Sequence, residues 1–386
     1  MVDALIYAAV ALCAVGAERT VSNEIKRLGL SVIEGGYGRV SFRAGLDGLY
    51  RALVGLRAAD RVLLETAGFR ALDFDALFEG TKRLPWEEYI PPGMSLRVSK
   101  VRSNRSKLTA ETSIQAVVHK AAAERLCAKR GINRLPENTD GAELRVYIEK
   151  DQASVLLDLS GEPLFKRGYR TSGGIAPLRE TTAAAIVIGS GWRRKFPLYD
   201  PFCGSGTIVT EAALFAWDLA PGLGRRFALD KLLLGDSETG RKIREEFLEK
   251  ADFSRLVRIG GSDSDSALIT AARANLERAL APVSKKRGAL PLFEVLPMEK
   301  ARPPAAGMEK GFIITNPPYG RRLGDAESAE KNYAEMGCLA RNFPGWKLAL
   351  ICDNPGFESF FGRKADQCRE ITNGAICSYL YQYDRL

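Results

Sequence analysis

A chain of 386 residues is longer than one average domain, and its 46% hydrophobic and 27% charged residues supply folded cores without any signature of wholesale disorder. The formal net charge of +9, with a pI of about 9.2, points away from acidic proteins and cations as partners and towards polyanions such as nucleic acid. Seven cysteines that never form a C-x-x-C pair argue against a disulfide framework or a zinc site and for a reducing, cytoplasmic setting, and a single histidine, His119, argues against histidine-based metal sites and Ser-His-Asp catalysis.

The first apolar run, Ala4 to Gly16, looks like the core of a secretory leader, but it follows Asp3, has no Lys or Arg before Arg19 and is too short to span a bilayer. It reads as a buried strand, Leu5 to Leu12, leading into a helix. Val21, Ile25 and Leu28 repeat at helical spacing up to Gly29; Arg39 to Phe42 alternates; Leu46, Leu49, Tyr50 and Leu53 are helical; Arg61 to Thr66 is a further strand. These make a small α+β unit over residues 1–65.

A second unit, 66–160, contains the Pro-rich turn Tyr89 to Gly93. Ser95 to Val101 alternates as a strand, Ile114, Val117, Val118 and Leu126 mark a long helix that holds His119 in a structural role, and Leu144 to Glu149 with Ala153 to Leu159 form a hairpin. Arg97, Lys100, Arg102, Arg105 and Lys107 lie in a window without one acidic residue, interleaved with Ser103, Asn104 and Ser106, which suits phosphate and sugar contacts.

From 161 to 386 the pattern becomes strand, turn, helix, repeated: Leu198 to Pro201 with a helix from Thr207, Val257 to Ser262 with a helix from Ser266, Phe312 to Thr315 with a turn, Trp346 to Cys352 with Phe357 to Phe361. Such alternation predicts a doubly wound α/β domain with a mainly parallel sheet and ligands at the carboxyl ends of its strands. Gln367 to Ile371 and Ile376 to Tyr383 close one edge as an antiparallel hairpin.

Three turns carry chemistry. The first, Asp200-Pro201-Phe202-Cys203-Gly204-Ser205-Gly206-Thr207, lets a ligand approach the backbone beside a helix N-terminus. It is neither a Walker A loop, lacking Gly-Lys-Ser/Thr, nor a dinucleotide fingerprint, since Val209 stands where the last small residue belongs. The second, Gly261 to Asp265, places an acid where it can accept from both hydroxyls of a ribose; Asp263 reads as the binder and Asp265 as the cap of the following helix.

The third is Asn316-Pro317-Pro318-Tyr319-Gly320, a rigid turn with carbonyls free of local partners. An amino group conjugated to a base is a poor nucleophile because its lone pair is delocalised into the ring. If the Asn316 side-chain oxygen and the Pro317 carbonyl accept its two hydrogens, the lone pair can turn towards an electrophilic methyl, with Tyr319 stacked on a base that has left its own stack. The turn does not separate adenine, guanine and cytosine amines, so RNA methylation, N6-adenine methylation of DNA and a non-catalytic RNA-binding factor with a vestigial pocket remain open from these residues.

Asp200 to Ile208 (DPFCGSGTI) and Asn316 to Gly320 (NPPYG) resemble the motifs of class I, Rossmann-like amino-methyltransferases, and most nearly the THUMP-domain RNA guanine-N2 methyltransferases of large-subunit ribosomal RNA, often labelled N6-adenine DNA methylases. The resemblance spans nearly the whole chain. Phe165 to Arg170 is similar to the family's linker, Ala176 to Glu180 to its cofactor-covering helix and Ala220 to Asp230 to its characteristic insertion. It implies an N-terminal ferredoxin-like domain, a THUMP domain that captures RNA, S-adenosylmethionine as cofactor and no metal. Carried onto this chain, it implies Asp200, Gly204 and Gly206 at the methionine end, Asp263 at the ribose and Asn316, Pro317 and Tyr319 at the target base; Pro201, Cys203, Thr207, Asp265, Asn316, Pro177 and Leu178 complete the expected cofactor contacts, and Pro318 completes the catalytic turn. Lys166, Arg167 and Arg170 of the linker join the RNA contacts. One departure stands out: Pro297 occupies the position of the family's adenine-binding Asp, so that either Glu299 substitutes or backbone contacts suffice.

Overall fold

The computed structural model describes residues 5–137, 141–170, 178–255, 258–283, 289–304, 307–318, 325–374 and 376–386, with backbone alone at 67 and 325–329. The N-terminal half contains β1 (Tyr7–Cys13), α1 (Glu18–Arg27), β2 (Ser31–Gly36), β3 (Arg39–Ala44), α2 (Leu46–Gly55), β4 (Ala59–Arg70), α3 (Phe74–Lys82), β5 (Leu96–Asn104), α4 (Glu111–Arg130), β6 (Ala142–Glu149) and β7 (Gln152–Asp158). All seven strands belong to one sheet, in the order β2-β3-β1-β4-β7-β6-β5. The predicted strand at Arg61 to Thr66 is twelve residues long and holds that sheet together. Its first half pairs with β1 and its second with β7, so the division drawn at residue 65 falls inside it.

Alternation along these strands sends Ala9, Ala11, Val62, Leu64, Val146 and Leu157 into the main core with Val21, Leu49, Ile114 and Val118 of the helices. The first strand begins at Tyr7 rather than Leu5, because Leu5 and Ile6 lie exposed ahead of it. The edge strand β2 is missing from the sequence reading: only Val32 and Ile33 are apolar in it, and it ends in glycine.

The C-terminal half contains α5 (Glu180–Gly189), β8 (Leu198–Asp200), α6 (Thr207–Ala216), α7 (Ser237–Lys250), β9 (Ile259–Asp263), α8 (Ser266–Ala279), β10 (Leu292–Val295), β11 (Phe312–Thr315), α9 (Asp325–Glu335), α10 (Cys338–Asn342), β12 (Lys347–Cys352), α11 (Phe357–Phe361), β13 (Gln367–Asn373) and β14 (Ile376–Tyr383). The sheet order is β10-β9-β8-β11-β12-β14-β13, with β10 to β12 parallel and β14 antiparallel to both of its neighbours. Neighbouring residues point to opposite layers: Leu198, Ile314 and Ile351 into one core, Tyr199, Ile313 and Leu350 into another with Tyr333, Leu339 and Phe357. This is the expected doubly wound α/β sheet with its antiparallel edge hairpin. The order reverses between β8 and β11, and a cleft opens at the carboxyl ends of strands beside such a switch point.

The two halves are clamped through the insertion after α6. Gly222 donates its N–H to the Val54 carbonyl at 2.9 Å, and a Cβ there would lie 2.6 Å from the Val54 Cα, so only glycine permits this approach. Arg225 reaches back to the carbonyls of Glu162, Pro163, Leu164 and Lys166 at 2.7–3.0 Å, holding the linker. Among the described residues no helix is long and apolar enough to cross a membrane.

Candidate active site

The cleft has a volume of about 710 Å³ and draws its walls from all three predicted turns. Asp200 ends β8, Asp263 ends β9 and Asn316 follows β11, so three local motifs far apart in sequence meet at the switch point. Asp200 is buried at the floor. Its Oδ1 accepts from the Thr315 hydroxyl at 2.6 Å and from the Phe202 N–H at 3.1 Å. Burial pushes its carboxyl up to about 7, with nearby Asp263 adding to the rise and these hydrogen bonds opposing it.

Asp263 ties the loop to the neighbouring strand: Oδ2 accepts from the Gly204 N–H at 3.0 Å and Oδ1 from the Asp265 N–H at 3.0 Å. Gly204 lines the cleft, and a Cβ at this position would meet nothing within 4 Å. A buried acid, a second acid and a bare stretch of backbone fit a cationic amino-acid end and a ribose. Pro201, Cys203, Thr207 and Leu178 also line the cleft, and burial pushes the Cys203 thiol well up, leaving it neutral.

Two residues of the predicted cofactor set lie elsewhere. Asp265 is the N-cap of α8, accepting from the N–H groups of Ala267 at 2.8 Å and Leu268 at 3.4 Å, and is outside the cleft lining. Its carboxylate is held by the first turn of the helix. Gly206 has φ +80° and backs onto α8 and β10, where a Cβ would lie 2.8 Å from the Ala272 Cβ. Its role is the left-handed turn into α6 and the close approach of α8. Pro177 and Tyr319 fall outside the described residues.

Asn316 and Pro318 line the cleft and Pro317 is buried beneath the turn. Sequence reasoning missed what holds them. Tyr333 of α9 donates its hydroxyl to the Pro318 carbonyl at 3.1 Å, and Asn332 and Glu335 of the same helix join the lining. Pro297, Met298 and Glu299 line it at the end of β10; the Glu299 carbonyl accepts from Asn342 at 2.9 Å. Among the described residues no group of three or more His, Cys, Asp or Glu is placed to hold a metal ion.

The basic residues divide. Arg97, Arg102, Arg105 and Lys107 are exposed on and after β5, Lys100 is half-buried there, and Lys166 is exposed beside Glu162 at 2.8 Å. Arg167 and Arg170 are not surface contacts. The Arg167 side chain is 3% exposed and pairs with Glu211 of α6, itself 0% exposed, at 3.2 Å. It also donates to the carbonyls of Leu164 and Arg57. Arg170 pairs with Glu180 at 2.7 Å and donates to the Leu178 carbonyl. Both cations are neutralised inside the protein, which removes them from the candidate RNA contacts.

A doubly wound sheet with an acid-lined cleft at its switch point and the Asn316-Pro317-Pro318 turn beside it defines a class I methyltransferase, the class whose methyl donor is S-adenosylmethionine. The chain belongs to the family described as the RMKL-like methyltransferase domain, which matches residues 167–382. Residues 8–63 match the RlmL ferredoxin-like domain and 71–158 the THUMP domain. "Putative RNA methyltransferase YpsC" of Bacillus subtilis (strain 168) is 37% identical over 98% of this chain and 96% of its own. The ribosomal RNA large subunit methyltransferase K/L of Syntrophotalea carbinolica is 35% identical over 96% of this chain, which spans only 52% of that relative's length. Among solved structures, "SMU.472, a putative methyltransferase complexed with SAH" aligns with a TM-score of 0.87 and 34% identity over 99% of this chain and 98% of its own.

Proposed function

We propose that the chain methylates the exocyclic N2 amine of a guanine in RNA, large-subunit ribosomal RNA in the cytoplasm, with residues 161–386 performing the chemistry and 1–65 and 66–160 capturing the RNA. The observation that carries this reading is the placement of Asn316 and Pro318 on the same cleft as Asp200 and Asp263. Bound there, S-adenosylmethionine supplies a methyl group made electrophilic by its sulfonium. Asp200 faces the ammonium of the methionine end, the Gly204 backbone lies along it and Asp263 takes the ribose hydroxyls.

The Asn316 side-chain oxygen and the Pro317 carbonyl accept the two amine hydrogens of the target base, which fixes the nitrogen and frees its lone pair from the ring. Tyr333, by taking the Pro318 carbonyl, holds the turn in that orientation. Positioning and electrostatics therefore supply the rate, and the methylated amine, a strong acid, loses its proton to water without a protein base. A relative named for methylation of large-subunit ribosomal RNA supports the choice of polymer, while guanine rests on the family resemblance.

The test is incorporation of labelled methyl from S-adenosylmethionine into purified ribosomal RNA and into DNA, followed by nucleoside mass spectrometry of the product. N2-methylguanosine in the RNA supports the proposal. Label in N6-methyladenine of DNA alone would replace it with the other amine substrate, and binding of S-adenosylmethionine without transfer to either polymer would leave a non-catalytic factor.

A further inference from the structure

The sheet of the N-terminal half has one face that the helical core does not cover. Val10, Leu63 and Leu156 form a small separate cluster there, with Leu12 and Tyr147 packed against it. Beside this cluster runs a groove of about 720 Å³, lined in part by the same Leu12 and Tyr147. Its floor is set by strand register: Arg39, Leu12 and Arg61 are direct neighbours across β3, β1 and β4, and Arg102 lies beside Tyr147 across β5 and β6.

With Arg145 and Arg179 the groove has five arginines against two acidic residues, Asp60 and Glu149. Arg61 and Arg145 are partly neutralised by Asp158 and Glu143 behind them, and Arg179 pairs with Asp60 at 3.1 Å. Arg39 has no carboxylate within ion-pair distance among the described residues, and the Arg102 side chain is half exposed at the rim, paired with Glu111 at 3.0 Å. Arg39 is thus the arginine of the lining whose charge no paired carboxylate offsets.

At the same rim the turn between β2 and β3 displays Tyr37 with 82% of its surface exposed. The ring contributes almost nothing to the core, yet its support is firm. The next residue, Gly38, donates its N–H to Glu18 at 2.8 Å and accepts from the Cys13 N–H at 2.9 Å. An aromatic ring held out beside arginines is the arrangement on which unpaired bases stack while the backbone phosphates are neutralised. A duplex is gripped over about 16 base pairs by its shape, whereas a groove of this size suits unpaired nucleotides.

We infer that this groove binds an unpaired segment of the substrate RNA, with its arginines on the phosphates and Tyr37 stacked on a base; the inference rests on the reading of the substrate as RNA. The groove is also joined to the active site. Arg179 lines the groove and the adjacent Leu178 lines the catalytic cleft, so at that point one peptide link separates the two.

The experiment uses the full chain, a fluorescein-labelled RNA oligonucleotide without internal pairing, anisotropy titrations over a range of salt, and calorimetry with S-adenosylmethionine. Tyr37→Ala weakens RNA binding about tenfold and Tyr37→Trp retains it. Arg39→Ala lowers the salt slope by about one. All three variants bind S-adenosylmethionine as the wild type does, which shows that they are folded. If the wild type binds the oligonucleotide and Tyr37→Ala and Arg39→Ala bind it equally well, the groove is not the RNA site and the inference falls while the substrate reading stands. If the wild type neither binds nor methylates RNA, both fall together.

Discussion

Two clusters of charge in the catalytic half are made of the same kinds of residue and do opposite work. In the cleft, Asp200 and Asp263 use some of their hydrogen-bonding capacity on the walls and still border an open cavity. In the seam between the halves, Arg167, Glu211 and Arg225 are absorbed by one another, by Tyr169 and by linker carbonyls. Charge at a site is available to a ligand only where the protein has left it a side uncovered. The seam has none.

The largest effect that separates the two regions is on folding. Arg167→Leu strands the Glu211 carboxylate in the interior, where losing one member of a buried pair costs about 3–5 kcal/mol. Urea denaturation shows the loss, and adding Glu211→Leu recovers much of it. If Arg167→Leu lowered RNA affinity and left the denaturation midpoint unmoved, the residue would belong with the RNA contacts after all.

Next in size is the cleft itself. Asn316→Ala removes one of the two groups proposed to hold the target amine and is expected to lower kcat about 10²–10³-fold, by analogy with the removal of a single preorganised polar group. Single-turnover kinetics measure it. Stability and S-adenosylmethionine affinity stay close to wild type, the reverse of Arg167→Leu, and a kcat within a few-fold of wild type would remove Asn316 from the chemistry.

A smaller contrast lies within the cleft, between two aspartates two residues apart. Asp263→Ala weakens S-adenosylmethionine binding about thirtyfold by calorimetry, the loss expected for a charged hydrogen-bonding partner. Asp265→Ala leaves that affinity unchanged and costs about 1 kcal/mol of stability through the lost helix cap. Equal effects of the two on affinity would contradict the separation of roles drawn from their hydrogen bonds.

What was legible in the sequence follows the same line. The motifs at Asp200, Asp263 and Asn316 each lie at the end of one strand, so strand, turn and functional residue are contiguous and the order of elements brings them together. Linker residues Arg167 and Arg170 read as surface charge because their partners are not local: Glu211 is 44 positions from Arg167. Tyr333 and Glu335 were invisible for the same reason, since nothing in a helical pattern says which strand end the helix covers. Gly206 illustrates a subtler limit. Its type was readable, but whether its bare side faces a ligand or α8 depends on the tertiary fold.

The finest separation is by pH. In the folded protein Asp200 titrates near 7 instead of the ordinary carboxylate range, chiefly because it is buried. A raised carboxyl pKa means that the folded state holds this proton more tightly than the unfolded chain. The group's contribution therefore favours folding at low pH and declines as pH rises from about 4 to about 7. Binding of a cationic ligand has the opposite sign, because the ammonium is attracted to the carboxylate and each binding event below the pKa must expel the proton. S-adenosylmethionine affinity is accordingly expected to rise about fivefold between about pH 6 and about pH 7, below the pKa of about 7.7–8.0 at which the ligand's own ammonium is lost, with proton release detected calorimetrically in buffers of different ionisation enthalpy. Asp200→Asn lowers the affinity and abolishes the slope. A wild-type affinity flat across that window would mean that Asp200 does not face the ammonium, and would leave the floor of the cleft a structural device tying β8 to β11 through Thr315.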